Sequence, residues 1–104
     1  MKEILDKLKR DEYIWDYELD IGNELKIRYG LSSVKDTERV LDIENKSLEK
    51  ALLKSANELE NNIRFSLTDE NDFFGYENVE ELEDRIEEET DYLKLLSKIV
   101  KESE

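Results

Sequence analysis

The chain has no cysteine, no histidine and no proline, and only three glycines. Without cysteine there is no disulfide staple and no thiolate nucleophile; without histidine the imidazole base and the commonest zinc ligand are missing too. Acyl transfer by a Ser-His or Cys-His pair and ordinary zinc hydrolysis are therefore excluded. No stretch approaches the roughly 18 consecutive apolar residues that mark a membrane span. The opening Met1-Lys2-Glu3-Ile4-Leu5-Asp6 is amphipathic rather than signal-like, which predicts a soluble, cytoplasmic protein with no membrane partner. Positive charge is also scarce. Sixteen Lys and Arg face 29 Asp and Glu, for a net charge of −13, and charged residues are 43% of the chain. That balance argues against direct nucleic-acid binding of the usual basic kind.

What is present suffices for a fold. Leu, Ile, Val and Phe make up 30 of 104 residues, about 29%, above the roughly 20% below which a highly charged chain stays disordered. The length suits a single domain over residues 1–104. Ile4, Leu5 and Leu8 give a short amphipathic helix within residues 2–12. Tyr13, Trp15, Tyr17, Leu19 and Ile21 then alternate with largely acidic neighbours, the pattern of a strand buried on one face, and Leu25, Ile27, Tyr29 and Leu31 repeat it. Between the two runs, Gly22-Asn23 suits a two-residue type II′ turn. On this reading Tyr13, Trp15 and Tyr17 cover the helices as core, and Ile14 is an isolated apolar residue on the opposite face.

Val34, Val40, Leu41 and Ile43 can serve a helix or a third strand. Because a two-stranded hairpin is barely stable, the favoured reading is a turn over 32–37, with Lys35-Asp36 at its tip, and a strand over 38–45. Ser47 is a candidate N-cap for a helix carrying Leu48, Leu52, Ala56, Leu59 and Ile63 to about residue 64. Residues 65–77 read as a connection anchored by Phe73, Phe74 and Tyr76. Asn78 and Glu81 form a variant capping box ahead of a helix of about 23 residues bearing Val79, Leu82, Ile86, Leu93, Leu96 and Val100. The expected class is α+β: a short helix, a three-stranded antiparallel sheet, then two helices (αβββαα).

The acidity is local. Residues 66–91 hold twelve acids and the single base Arg85, a charge of −11, and the remainder of the chain is −2. On the last helix Glu80, Asp84, Glu87, Glu88 and Asp91 share a face, where like charges four apart repel by about 0.2–0.5 kcal/mol per pair. The first acids are helped by the positive end of the helix dipole; those from Glu87 onward are not. Carboxylates about 5–6 Å apart along such a strip approximate the phosphate spacing of one nucleic-acid strand and can occupy a basic groove built for DNA or RNA. The plainer reading is a solvated face that confers solubility.

Catalysis and metal binding fit poorly. A glycosidase needs two carboxylates across a sugar-sized cleft, for which this core has little room. An EF-hand alignment beginning at Glu70 places Asp72, Gly75 and Glu81 at positions 3, 6 and 12 but Phe74 at position 5. The expectation is a non-enzyme with no cofactor and no metal site.

The order of elements, the local acidity and the stretch Glu38-Arg39-Val40-Leu41-Asp42-Ile43-Glu44-Asn45-Lys46-Ser47-Leu48-Glu49-Lys50 resemble small phage-encoded anti-CRISPR proteins, which inhibit RNA-guided Cas nucleases. In that family, acids around the junction of the last two helices take the place of DNA at the Arg-rich site that reads the PAM. By position the resemblance implies Asp69, Glu70, Asp72, Glu77, Glu80, Glu81 and Glu83 here, and the strip extends the candidate surface to Asp84, Glu87 and Glu88. The family's acidic hairpin loop is not reproduced: Gly22-Asn23 is flanked only by Asp20 and Glu24. The resulting expectation is a DNA-mimicking inhibitor of a basic nucleic-acid-binding protein, foremost a CRISPR nuclease in the host cytoplasm. An immunity protein or antitoxin capping a nuclease toxin is the alternative. An assembly adaptor pairing or oligomerising its last helix through Leu93, Leu96, Ile99 and Val100 is a third reading.

Overall fold

The computed structural model describes residues 2–31, 34–43, 47–68 and 79–103. Helix α1 (Lys2–Arg10) is followed by strands β1 (Asp16–Leu19), β2 (Glu24–Leu31) and β3 (Val34–Asp42), then helices α2 (Leu48–Thr68) and α3 (Val79–Ser103). The sheet is antiparallel with order β1-β2-β3. This is the α+β arrangement that the hydrophobic periodicity predicts.

The centre of the sheet follows from alternation on β2. Leu25, Ile27 and Tyr29 are buried, while Glu24, Lys26 and Arg28 face water. Their neighbours on β3 continue the inner face, with Leu41 opposite Leu25 and Thr37 opposite Tyr29. A register shift of one residue separates the Tyr29–Thr37 pair from the Leu31–Val34 pair. Strand β3 thus begins four residues earlier than the predicted strand, and Lys35-Asp36 lie within it instead of at a turn. The Arg28–Asp36 ion pair on the outer face belongs to this longer ladder.

The hairpin loop also differs from the prediction. Leu19 pairs with Leu25, the Asp20 amide donates to the Glu24 carbonyl at 2.9 Å, and the left-handed residue is Asn23, at φ 63°. Gly22 does not adopt the positive φ that a type II′ turn demands there. The connection is a three-residue loop in which Asn, tolerant of the left-handed region, supplies the reversal. Ile21 at its tip is fully exposed.

The largest correction falls before β1. Helix α1 closes with Glu12 in the left-handed region (φ 65°), with the Tyr13 amide donating to the Leu8 carbonyl at 2.9 Å and the Glu12 amide to the Lys9 carbonyl at 3.2 Å. These are the two bonds of a Schellman cap. The cap takes up residues the alternation had assigned to a strand, so Ile14, not its aromatic neighbours, enters the core at 1% exposure. Tyr13 and Trp15 are 36% and 49% exposed. Only Tyr17, opposite Ile27, keeps the inward register, half-buried and donating through its hydroxyl to Asp6. Trp15 instead lies over Gly30: a Cβ there would meet the indole at 2.6 Å, so glycine is required for this close approach.

Ser47 caps α2 as expected, its hydroxyl accepting from the Lys50 amide at 3.3 Å. Leu48, Leu52, Ala56 and Leu59 of α2 meet Leu82, Ile86, Leu93, Leu96 and Val100 of α3 in one core that includes Leu5 and Leu8. Each such buried Leu, Ile or Val side chain contributes about 1.5–3 kcal/mol. Leu93, Leu96 and Val100 are fully buried and Ile99 is partly buried, so the residues expected to recruit another helix are already packed within the chain. The Asn78 cap, the anchors Phe73, Phe74 and Tyr76, and most of the EF-hand spacing lie outside the described residues. No described helix is long and apolar enough to cross a membrane.

Candidate functional site

The stripe Leu82, Ile86, Glu89, Leu93, Leu96, Val100 recurs at helical spacing and fixes which way α3 faces. One member is a carboxylate. Glu89, 2% exposed, accepts the Tyr29 hydroxyl at 2.9 Å, the Arg39 Nη2 at 2.6 Å and the Arg85 Nη1 at 3.1 Å, and the Arg39 Nε also donates to it. Arg85 Nη2 donates to Thr37 Oγ1 at 3.0 Å, and Tyr29 stacks on Tyr92 with ring centroids 5.1 Å apart. Burial and the adjacent Glu89 charge push the Tyr29 phenol far above its ordinary value. Burial opposes the Arg39 charge, but the hydrogen bonds and charge of Glu89 outweigh it and hold the guanidinium above its usual range. This network ties α3 to β2 and β3.

Its second effect is on the surface. Arg85, the only base among residues 66–91, is turned inward with a side chain 10% exposed, and it pairs with the acid that is also turned inward. What α3 shows to solvent over residues 80–91 is therefore acidic without interruption. Glu80, Glu81, Asp84, Glu87 and Asp91 are exposed, and Glu83 and Glu88 are half-buried. Glu80, Glu83, Asp84 and Glu87 make no ion pair with another described residue.

The strip is not confined to one helix. Glu83, Glu87, Thr90 and Asp91 of α3 line an open groove with Glu60 of α2. Lys94 reaches Glu60 at 2.8 Å, and that bond, together with the charges of Glu60 and Asp91, raises its amine above the ordinary value. Glu60 was not legible as a member of the site, because only the packing of α2 on α3 brings it there. Glu89 carried a signal: it falls three residues after Ile86 and four before Leu93, inside the apolar stripe.

Six of the expected site residues, Glu80, Glu81, Glu83, Asp84, Glu87 and Glu88, are thus placed together on α3. Asp69, Glu70, Asp72 and Glu77 lie outside the described residues. Among the described residues no three acidic groups converge on a point where a metal ion would be held. Comparisons with protein-family profiles, curated proteins and solved structures find no match to this chain.

Proposed function

We propose that this protein is an inhibitor that presents carboxylates in place of nucleic-acid phosphates and blocks a basic nucleic-acid-binding protein, foremost a CRISPR nuclease. One observation carries the reading: the fold withdraws the lone Arg85 from the acidic surface and leaves residues 80–91 with seven outward-lying acids and no outward base. A chain needing only solubility gains nothing by gathering its charge where like charges strain a helix. The acids pair with Arg and Lys that otherwise contact phosphates and base edges, so inhibition is competitive with DNA, fast in onset and weakened by salt.

A tagged pull-down against a panel of guide-loaded nucleases, repeated with PAM-containing duplex and at raised salt, tests this. The expected result is a captured nuclease released by either addition. Reversing Glu80, Glu81 and Asp84 to Lys abolishes capture while far-UV circular dichroism stays unchanged; affinity that survives the reversal overturns the proposal. Capture of a nuclease encoded beside this gene, in place of any Cas protein, moves the assignment to an immunity protein.

A further inference from the structure

The longest strand of the sheet lies at its edge. β3 runs for nine residues, pairs with β2 on one side and has no described strand on the other. The Ile43 amide donates to the Asn23 carbonyl at 2.9 Å, which fixes the phase of the ladder. Residues 37, 39, 41 and 43 therefore turn their main-chain groups to β2, and Glu38 and Val40 turn theirs to the open edge. Edges of this kind are usually blunted by proline, a bulge or a lone inward charge. Here there is no proline, the register shift lies beyond Tyr29 at the far end, and the inward Arg39 is already met by Glu89. Val40, in the middle, is apolar and 52% exposed. Helix α2 does not cover the gap: Val40, Leu41 and Asp42 line an open groove with its Ala51, Lys54, Ser55 and Glu58.

We propose that an extended segment of another protein adds to β3 as a fourth, antiparallel strand, with an apolar residue opposite Val40 and basic residues two places to either side. Main-chain bonds to Glu38 and Val40 hold it, and charge selects it: the outward neighbours Glu38 and Asp42 and the groove acid Glu58 outnumber the single base Lys54. The residues between point toward Ala51 and Ser55, where small side chains fit. A second copy of this chain is the wrong occupant, because antiparallel pairing of two β3 strands about Val40 sets Glu38 of one against Asp42 of the other. The surface is separate from the acidic strip on α3 and does not depend on the inhibitor reading.

The test is a titration of the 15N-labelled full chain with the peptide acetyl-Lys-Ala-Val-Ala-Lys-amide, followed by amide shifts. Saturable shifts centred on residues 38–42 and on 51, 54 and 55 are expected. In the antiparallel register the peptide's valine amide faces β3 and its alanine amides face away. Methylating the valine nitrogen should therefore weaken binding about tenfold or more, and methylating an alanine nitrogen by less than about threefold. A peptide with Glu in place of both Lys should not bind. Val40→Pro removes the outward amide without touching the ladder to β2, so it should abolish the shifts while far-UV circular dichroism is unchanged. The Glu80/Glu81/Asp84→Lys variant should bind the peptide within about twofold of the parent, since no main-chain bond is lost. Absence of saturable binding, shifts centred on residues 80–91, or equal affinity for the valine-methylated peptide each overturn the proposal. Shifts at 38–42 that grow with concentration of the free protein alone assign the edge to a second copy and overturn it as well.

Discussion

Glu89 and Glu87 lie two residues apart on one helix, yet the fold asks opposite things of them. Glu89 is enclosed by Arg39, Arg85 and Tyr29, so removing its charge leaves the buried Arg85 guanidinium, and the partly solvated one of Arg39, without a counter-charge. Breaking a buried pair from one side costs about 3–5 kcal/mol, whereas a solvated carboxylate contributes within about 0.5 kcal/mol of nothing. Chemical denaturation of Glu89→Gln should therefore show a loss of several kcal/mol, and Glu87→Gln should match the parent or exceed it slightly as repulsion along the strip is relieved. Tyr29 gives this network a pH signature. Its folded-state pKa lies above the unfolded value of 10.0, so its contribution is fully present below pH 10 and is lost as pH rises beyond that. Stability should decline from about pH 10 upward, with Tyr29 forming tyrosinate only as the chain unfolds. Tyr29→Phe forfeits about 1 kcal/mol at neutral pH for its bond to Glu89, and its deficit narrows on the alkaline side. Denaturant midpoints at pH 7 and pH 11, with tyrosinate absorbance followed in parallel, check both statements.

At the scale of elements, caps and ladders decide what periodicity leaves open. Glu12 ends α1 in the left-handed region, where a β-carbon costs about 1 kcal/mol or more. Glu12→Gly should accordingly raise stability by about 1 kcal/mol, or roughly 4 °C in midpoint for a chain of this size. Ser47→Ala, which removes the α2 cap, should cost about 1 kcal/mol, as thermal unfolding will show. Both long helices and the inner face of β2 were legible, since each carries its own hydrophobic period over many residues. The segment from Tyr13 to Trp15 was misread because a Schellman cap is defined by backbone bonds to Leu8 and Lys9, which leave no mark on an alternating pattern. The early start of β3 escaped for a related reason: its outer residues, among them Asp36 against Arg28, are stabilised by pairing across the ladder, and their own sequence looks like a turn. Of the site, the acidic row on α3 was visible as composition and spacing, but its groove was not. Glu60 belongs to it through α2–α3 packing alone, and the inward turn of Arg85 depends on Thr37 of β3 meeting it from a distant place in the chain, beside Glu89 one turn further along α3.

Across the whole molecule, the same charge that serves a partner opposes the fold, and ionic strength separates the two effects. The net charge is −13, with −11 of it between residues 66 and 91, so self-repulsion concentrates where α3 leaves its N-terminal turn. Salt shortens the screening length from about 10 Å at 0.1 M to about 3 Å at 1 M, which removes most repulsion between exposed acids spaced about 6 Å apart or more. The buried contacts of Glu89 are screened far less, and apolar burial is not weakened. Raising sodium chloride from 0.05 to 0.5 M should therefore increase the thermal midpoint of the free protein. Over the same range the affinity for a basic partner should fall by tenfold or more, because complementary charge loses its reach. The Glu80/Glu81/Asp84→Lys variant sharpens the argument. It relieves repulsion along the strip but places cations in the first turn of α3, at the positive end of the helix dipole, so it should gain less stability from added salt than the parent, while showing no salt-dependent partner binding at all. Calorimetry across the salt series, paired with binding at each point, reads both slopes. A parent whose stability and affinity rise together with salt would place the partner surface away from the acidic strip, on an apolar face.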